Sequence, residues 1–423
     1  MNILVVSNVF PPGFVGGFEL GALEVATGLA DGGHKVTVLS GDYFLDETEE
    51  SSPIEVRRIL NCAPMSHELG DQAARHIQGT YFDFHNIRRM ANSIRSLQID
   101  LVLLFNIQGL GALSILRFLT ATGMPTIAYL MDNPLHGLDR SSIASQRYES
   151  VFGASILGDN IRYIAMSRNV MQQFSESLGQ PRSAHLFVPG WIHVEQYGTG
   201  AISPRRDLPV RFVFCSRIAP HKGIDLVLDA AEALVGQGVR NFSVDCFGQG
   251  QVAQLIQSIR ARGLDRYVSY RGSKPKTEMV RTFEDYDALL FPTWEREPFG
   301  FVVSEAAAAG CVPIMTARIG ASEWLIHEVD CLKIGRTSVA LKDAMHHLIA
   351  LDAEARSEFR RASRRSARQY LSFARWMPVI ESECCSAGLL PAGAARAATV
   401  GVQAAFQYLG SLWREAGRDD QVS

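Results

Sequence analysis

Short β-branched runs alternate with longer segments of helical period along nearly the whole chain, and this alternation leaves few architectures open. Strands separated by helices pair most readily in parallel, with each helix crossing over one face of the sheet. In the first half, Ile3–Ser7, Lys35–Leu39, Ile54–Ile59, Leu101–Phe105, Thr126–Leu130, Tyr163–Met166 and His185–Val188 read as strands. Between the first two, Glu19–Asp31 sets Leu20, Leu23, Ala26 and Ala30 near helical spacing and stops at Gly32 and Gly33. That is a βαβ unit, whose crossover is expected to be right-handed.

The segment 198–209 (GTGAISPRRDLP) has glycine, proline and charge but no period, and reads as a linker. The alternation then restarts. Arg211–Cys215, Phe242–Phe247, Val268–Tyr270, Ala288–Phe291 and Val312–Met315 read as strands. Gly223–Val235, Val252–Arg262, Thr277–Phe283 and Gly300–Ala309 read as the helices between them. The expected fold is α/β, with two doubly wound parallel-sheet domains over 1–197 and 210–375. Residues 376–423 are expected to form helices and a tail returning to the first domain. Leu351–Arg375 reads as one helix with seven arginines, at 356, 360, 361, 364, 365, 368 and 375. After it come a small-residue stretch, Ala387–Ala398, and a further helix, Val400–Ala416, with Val402, Phe406, Leu409, Leu412 and Trp413 near one face.

Composition narrows the function classes. With 423 residues, 47 % hydrophobic and 20 % charged, the chain is long enough for two or three cores. Forty-one basic against forty-four acidic residues give no pull toward nucleic acid. No apolar run reaches membrane-spanning length, and no secretory leader precedes the first strand. Seven scattered cysteines form no Cys-x-x-Cys pair, which fits reduced thiols and a cytoplasmic location. The arginine-rich helix has two readings: a solvated outer face, or peripheral contact with anionic lipid at the inner membrane surface. Interspersed acids and alanines favour the first.

Three segments carry chemistry. Residues 7–19 (SNVFPPGFVGGFE) follow a strand and precede a helix, where backbone amides and the helix dipole receive anions, and Gly16 and Gly17 permit close approach. The spacing is not that of a dinucleotide fingerprint, so hydride transfer is a poor reading. Residues 212–225 (FVFCSRIAPHKGID) place Arg217 and Lys222 on a strand-to-helix loop, a planar fork and a mobile point charge suited to a diphosphate. The ordinary alternative is two solvated cations. Residues 297–305 (EPFGFVVSE) set Glu297 before a helix, Gly300, Phe301 and Val302 at its amino end, and Glu305 on its second turn. The helix start suits phosphate, and each carboxylate can accept from adjacent sugar hydroxyls. Each glutamate alone could be an ordinary helix carboxylate. The order of all these segments in one chain argues otherwise.

Taken together these segments resemble retaining glycosyltransferase family 4, of the GT-B architecture, with two facing Rossmann-like domains and a cleft between them. The resemblance rests on 10–19, 33–39, 216–225, 247–250 (FGQG), 268–272 (VSYRG) and, most specifically, the Glu-x7-Glu of 297–305, and spans roughly 1–380. It implies a nucleotide-diphosphate sugar as donor substrate, a sugar, lipid-linked or other hydroxyl acceptor, no further cofactor and no metal. Arg217 and Lys222 would hold the diphosphate, Glu305 the ribose and Glu297 the transferred sugar, with Glu297, Arg217 and Lys222 as the catalytic set. Phe299, Gly300, Phe301 and Val302 would contact sugar and phosphate largely through backbone. Gly248 and Gly250 would border the nucleotide, and Gly16 and Gly17 would approach the diphosphate or the acceptor. On the acceptor side the resemblance points to Glu19, Asn106, Asp132 and His136, and the loop Ser66–Arg89 is a candidate for acceptor or membrane contact. This chain departs from the family's pattern there, with Met131 where a histidine often stands, Phe105-Asn106 in place of a histidine ending, and Val188-Pro189-Gly190 without the usual asparagine. The implied reaction retains anomeric configuration and serves polysaccharide, lipopolysaccharide or glycolipid assembly, with hinge closure near the linker. The alternatives are a nucleotide-sugar epimerase or hydrolase, and a non-catalytic nucleotide-sugar-binding protein.

Overall fold

Runs of valine, isoleucine and leucine form parallel strands buried on both faces, as the continuous apolar runs require. The computed structural model describes residues 1–13, 17–41, 54–62, 81–138, 158–205, 209–389 and 392–419, with 406–419 as backbone only. Gly16, the part of the Ser66–Arg89 loop before residue 81, and the side chains of Phe406, Leu409, Leu412 and Trp413 lie outside the described residues. The chain divides into two units: 1–166, 170–188 and 377–423 in the first, 167–169 and 189–376 in the second.

The first unit runs β1 (Asn2–Ser7), α1 (Gly17–Asp31), β2 (Lys35–Gly41), β3 (Glu55–Leu60), α2 (Phe84–Ser96), β4 (Leu101–Leu104), α3 (Ala112–Thr122), β5 (Thr126–Leu130), β6 (Ile161–Ala165), α4 (Arg168–Leu178) and β7 (Leu186–Phe187). Its sheet has the order β3-β2-β1-β4-β5-β6-β7 and every described pair is parallel. Helix α2 begins where Asp83 accepts from the Asn86 amide, and α3 ends at Gly123 in the left-handed region, φ 66°.

The second unit repeats the plan with β8 (Val210–Cys215), α5 (Ile224–Gly236), β9 (Phe242–Phe247), α6 (Val252–Ala261), β10 (Val268–Tyr270), α7 (Lys276–Thr282), β11 (Ala288–Phe291), α8 (Phe301–Ala309), β12 (Val312–Thr316), β13 (Leu332–Ile334), α9 (Ser338–Ala350) and α10 (Ala353–Tyr370). Its parallel sheet has the order β10-β9-β8-β11-β12-β13. After α10 come α11 (Phe373–Gly388) and α12 (Ala392–Asp419), and from Met377 onward they belong to the first unit. There Met377 packs over Gly28 of α1, Glu381 meets His34 at 3.2 Å and Glu383 meets Arg162 at 3.0 Å. On α12, Ala392 and Ala395 join the core formed with α2 and α3, and Arg396 pairs with Asp100 at 3.0 Å.

Several expectations are corrected. Leu351–Arg375 is not one helix. It breaks at Leu371 and Ser372, because Ile192 donates to the Leu371 carbonyl and accepts from the Phe373 amide, which takes that carbonyl and that amide out of helical pairing. The last helix starts at Ala392, not Val400, so the small-residue stretch is largely helical. Phe84–Arg89, expected as loop, is the first half of α2. The arginine-rich helix is not an outer solvated face. Arg356, Arg361, Arg364 and Arg368 donate to the carbonyls of Arg205, Ile202, Gly200 and Gly198, so α10 fastens the 198–205 segment to its own unit. Among the described residues, only Arg361 and Arg365 make ion pairs on the exposed side, with Glu354 and Glu358. Among the described residues no helix is long and apolar enough to cross a membrane.

Phe118 on α3 is fully buried in the first core. Replacing it with alanine removes a large apolar surface and leaves a cavity, so Phe118→Ala is expected to cost about 3–5 kcal/mol. Urea unfolding of the two proteins side by side measures this as a lower midpoint.

Candidate active site

In a doubly wound sheet, ligands bind outside the carboxyl ends of the strands where the strand order reverses, because neighbouring loops part there. In the second unit that point lies between β8 and β11. The loop after β8 carries Arg217 and Lys222, and the loop after β11 carries Glu297.

The β8 loop is held by its backbone. Ser216 donates to the Phe247 carbonyl at 3.2 Å and Ile218 to the Gln249 carbonyl at 2.7 Å. This close approach needs glycine opposite. Gly248 has φ 143° and a Cβ there would stand 1.9 Å from the Ser216 carbonyl oxygen. Gly250, at φ 124°, faces the Ile218 carbonyl in the same way. Both glycines therefore position the Arg217 segment. The turn Pro220–Lys222 follows and ends at Gly223, which packs on the Pro292 carbonyl.

Lys222 Nζ donates to Glu297 Oε2 at 2.5 Å, and both side chains are largely buried. Thr293 Oγ1 donates to the same oxygen at 3.1 Å, and Thr316 Oγ1 fixes the Thr293 carbonyl at 2.7 Å. The two loops are also joined by the Trp294 amide, which donates to the His221 carbonyl at 2.9 Å, and by the His221 ring against Trp294 at 4.9 Å. Arg217 is exposed, with no hydrogen bond or ion pair among the described residues. Its charge acts on His221 together with those of Lys222, Glu297 and Arg336. Burial first, then Lys222 and Arg217, hold the His221 imidazolium below the ordinary histidine range.

Helix α8 opens at Gly300 (φ 90°) with no side-chain cap, so its first amides are left for water or a ligand. A Cβ on Gly300 would meet the Phe291 ring at 2.7 Å, so glycine seats the helix start against the end of β11. Phe299 is buried with its ring on Gly190, edge-to-face with Phe301 at 5.6 Å, and its carbonyl accepts from the Ala321 amide at 3.0 Å. Phe301 and Val302 are half-buried in the first turn. Glu305 is largely buried and pairs with Lys276 Nζ of α7 at 3.1 Å. Its carboxylate lies near the end of β8, where burial and then Glu305 push the Cys215 thiol up to about 12.

In the first unit, Gly17 opens α1 and Glu19 is buried in its first turn. Asn8, after β1, donates from its amide to the Asn106 carbonyl at 2.5 Å and from its side chain to the Gln108 carbonyl at 3.1 Å. Asn106 Oδ1 accepts from the Gln108 amide. Asp132 accepts from the Asn133 amide at 2.7 Å, and the carbonyl of the exposed His136 accepts from Tyr81 at 2.6 Å. These are loop-shaping bonds at the carboxyl ends of β1, β4 and β5. Sequence reasoning missed Thr293, Trp294, His221 and Lys276. The first three lie beside motif residues and could have been found there, whereas Lys276 carries no sequence signal.

An NMR titration of His221 is expected to give a midpoint below 6.5. In Lys222→Gln the midpoint should rise, because a nearby cation is gone and Glu297 is left unbalanced. An unmoved midpoint would place Lys222 elsewhere.

Residues 201–366 match the family model described as Glycosyl transferases group 1. A glycogen synthase of Mycobacterium tuberculosis is 26 % identical over 342 residues, covering 76 % of this chain and 78 % of the relative. Among solved structures, a glycosyltransferase from Rickettsia africae superposes with TM-score 0.70 at 16 % identity, over 92 % of this chain and 99 % of that one. Anabaena HepE in complex with UDP and glucose superposes with TM-score 0.64 at 18 % identity, over 91 % and 100 %. The fold is therefore GT-B, and the match to the group 1 glycosyl transferases lies within its second unit.

Proposed function

We propose that the chain transfers a sugar from a nucleotide-diphosphate sugar to a hydroxyl acceptor, with retention of anomeric configuration. The observation that carries this reading is the Lys222–Glu297 pair beside the uncapped start of α8. A cation, a carboxylate and free helix amides at one switch point suit a donor with an anionic end and a hydroxylated end. The HepE structure, solved in complex with UDP and glucose, supports the same class of donor.

In this proposal Lys222, Arg217 and the amides of Phe301 and Val302 hold the diphosphate. As the bond from the anomeric carbon to the diphosphate oxygen breaks, they stabilise the charge on the leaving group. The acceptor hydroxyl attacks from the same face, and its proton passes to the departing diphosphate. Glu297 accepts from hydroxyls of the transferred sugar and Glu305 from the ribose. Both carboxylates are engaged by lysines in the described state, so donor hydroxyls would take over from, or share with, Lys222 and Lys276. The acceptor is a sugar, lipid-linked or other hydroxyl compound of polysaccharide, lipopolysaccharide or glycolipid assembly. Asn106, Asp132, His136 and Glu19 are its candidate contacts, and cytoplasmic enzyme at the inner membrane surface would meet such an acceptor.

The test is a panel of nucleotide sugars, with and without lipid extract, followed by nucleotide release and product stereochemistry. Acceptor-dependent release with retention is expected. Isomerised sugar without release would point to an epimerase, and binding without either to a non-catalytic protein. Glu305→Ala is expected to weaken nucleotide binding at least tenfold, and Glu297→Ala to lower kcat at least tenfold, since a hydrogen bond to a charged group is worth about 1.5–3 kcal/mol. Unchanged kinetics in both variants would overturn the site assignment.

A further inference from the structure

At the amino ends of the second sheet's strands, a cavity of about 290 Å³ is lined by Arg205, Arg360, Arg364 and Glu284, with Gly200 and Ile202 of the 198–205 segment. Arg205 precedes β8, residues 284–287 precede β11 and Gly310 precedes β12. Strands of four to six residues, about 13–20 Å long, separate this edge from Lys222 and Glu297. The cavity is therefore not part of the candidate active site.

Among the described residues its cations outnumber its carboxylates. Arg360 is 4 % exposed, an unusual burial for a guanidinium. The Asp287 carboxylate is shared between Arg360 at 3.7 Å and Arg205 at 3.6 Å, and also accepts from the Arg211 amide. Glu284 accepts from the Gly198 amide. Most of the arginine bonds go to neutral carbonyls: Arg360 to Gly310 and Glu284, Arg205 to Glu284 and Asp285, Arg364 to Gly200 and Ala309. Carbonyls satisfy N–H groups but leave the charge uncompensated. The electrostatics agree: burial and the neighbouring Arg205 bring Arg360 down to about 10 despite Asp287, and Arg364 is lowered by burial and Arg368 despite Glu284. Three guanidinia against one lining carboxylate around a cavity are what an oxyanion relieves.

We propose that this cavity is a second ligand site, which binds a small phosphate-bearing anion through Arg205, Arg360 and Arg364. Inorganic phosphate and the phosphate of a phosphomonoester present the same oxygens to this fork of guanidinia, and the volume admits either. Binding there adds bonds to α10 and to the 198–205 segment it fastens, so it stabilises the second unit.

The test is thermal unfolding of the full chain in rising inorganic phosphate or a hexose monophosphate, at ionic strength held constant with sodium chloride. The native chain is expected to gain about 2–4 °C. Arg217→Ala/Lys222→Ala, which removes the diphosphate cations of the active site, should keep that gain, and Arg205→Gln/Arg364→Gln should lose it. A larger gain with the monophosphate assigns the ester, and an equal gain assigns the free ion. The proposal is overturned if a folded Arg205→Gln/Arg364→Gln protein keeps the native gain, or if the gain vanishes with Arg217 and Lys222. Crystals of the native chain soaked in selenate give a reading that needs no variant. An anomalous peak within hydrogen-bond distance of Arg364 is expected, and its absence there would overturn the site.

Discussion

A strand that pairs in parallel with its neighbour must cross the sheet to reach it, and the rest of this molecule follows from that constraint. The crossing puts helices on both faces, so the central strands lose contact with water and are largely apolar, whereas the edge strand β3 keeps Glu55, Arg57 and Arg58. It also sends every strand-to-helix loop to one edge. At β8 and β11 the chain turns away in opposite directions, and the loops that part there leave Lys222, Glu297 and the start of α8 on common ground. No long-range force is needed to gather the cluster. Glycines do the remaining work, because Gly248 and Gly300 let backbone and helix approach where a Cβ would collide.

The two edges of the second sheet solve the problem of charge differently. At the carboxyl edge, Lys222 and Lys276 each face one carboxylate, so attraction is local and the partners can be exchanged. At the amino edge, arginines meet carbonyl oxygens along a segment of irregular chain. A guanidinium with five donors can close several such bonds at once, which a lysine cannot. The segment without periodicity is thereby fixed by side chains instead of by its own ladder.

Most of the fold was legible because its signals are local. Phe242–Phe247, Ala288–Phe291 and Thr126–Leu130 were readable to the residue as apolar runs between turn residues. Leu332–Ile334 is too short for a period to show, and its place at the sheet edge depends on β12. The break after Tyr370 was hidden for another reason: helical spacing continues through Leu371, and only pairing with Ile192, far off in sequence, overrides it. The arginines of α10 looked solvated because sequence gives a helix its faces but not its neighbours. In the site, Glu297, Lys222 and Gly300 could be singled out by type and spacing. Lys276 could not, since its link to Glu305 exists only once α7 and α8 have packed.

The first unit is discontinuous in the chain, interrupted after Val188 and resumed at Met377. A growing polypeptide is made from its amino end, and domains fold as units when their residues are available. The second unit has all its strands and their helices by Trp376. The first must wait for α11 and α12, which supply Met377, Ala392 and Ala395 to its helical layer. The half made first is thus finished last, and its seven-stranded sheet spends the synthesis of the second unit with part of its apolar covering still unmade.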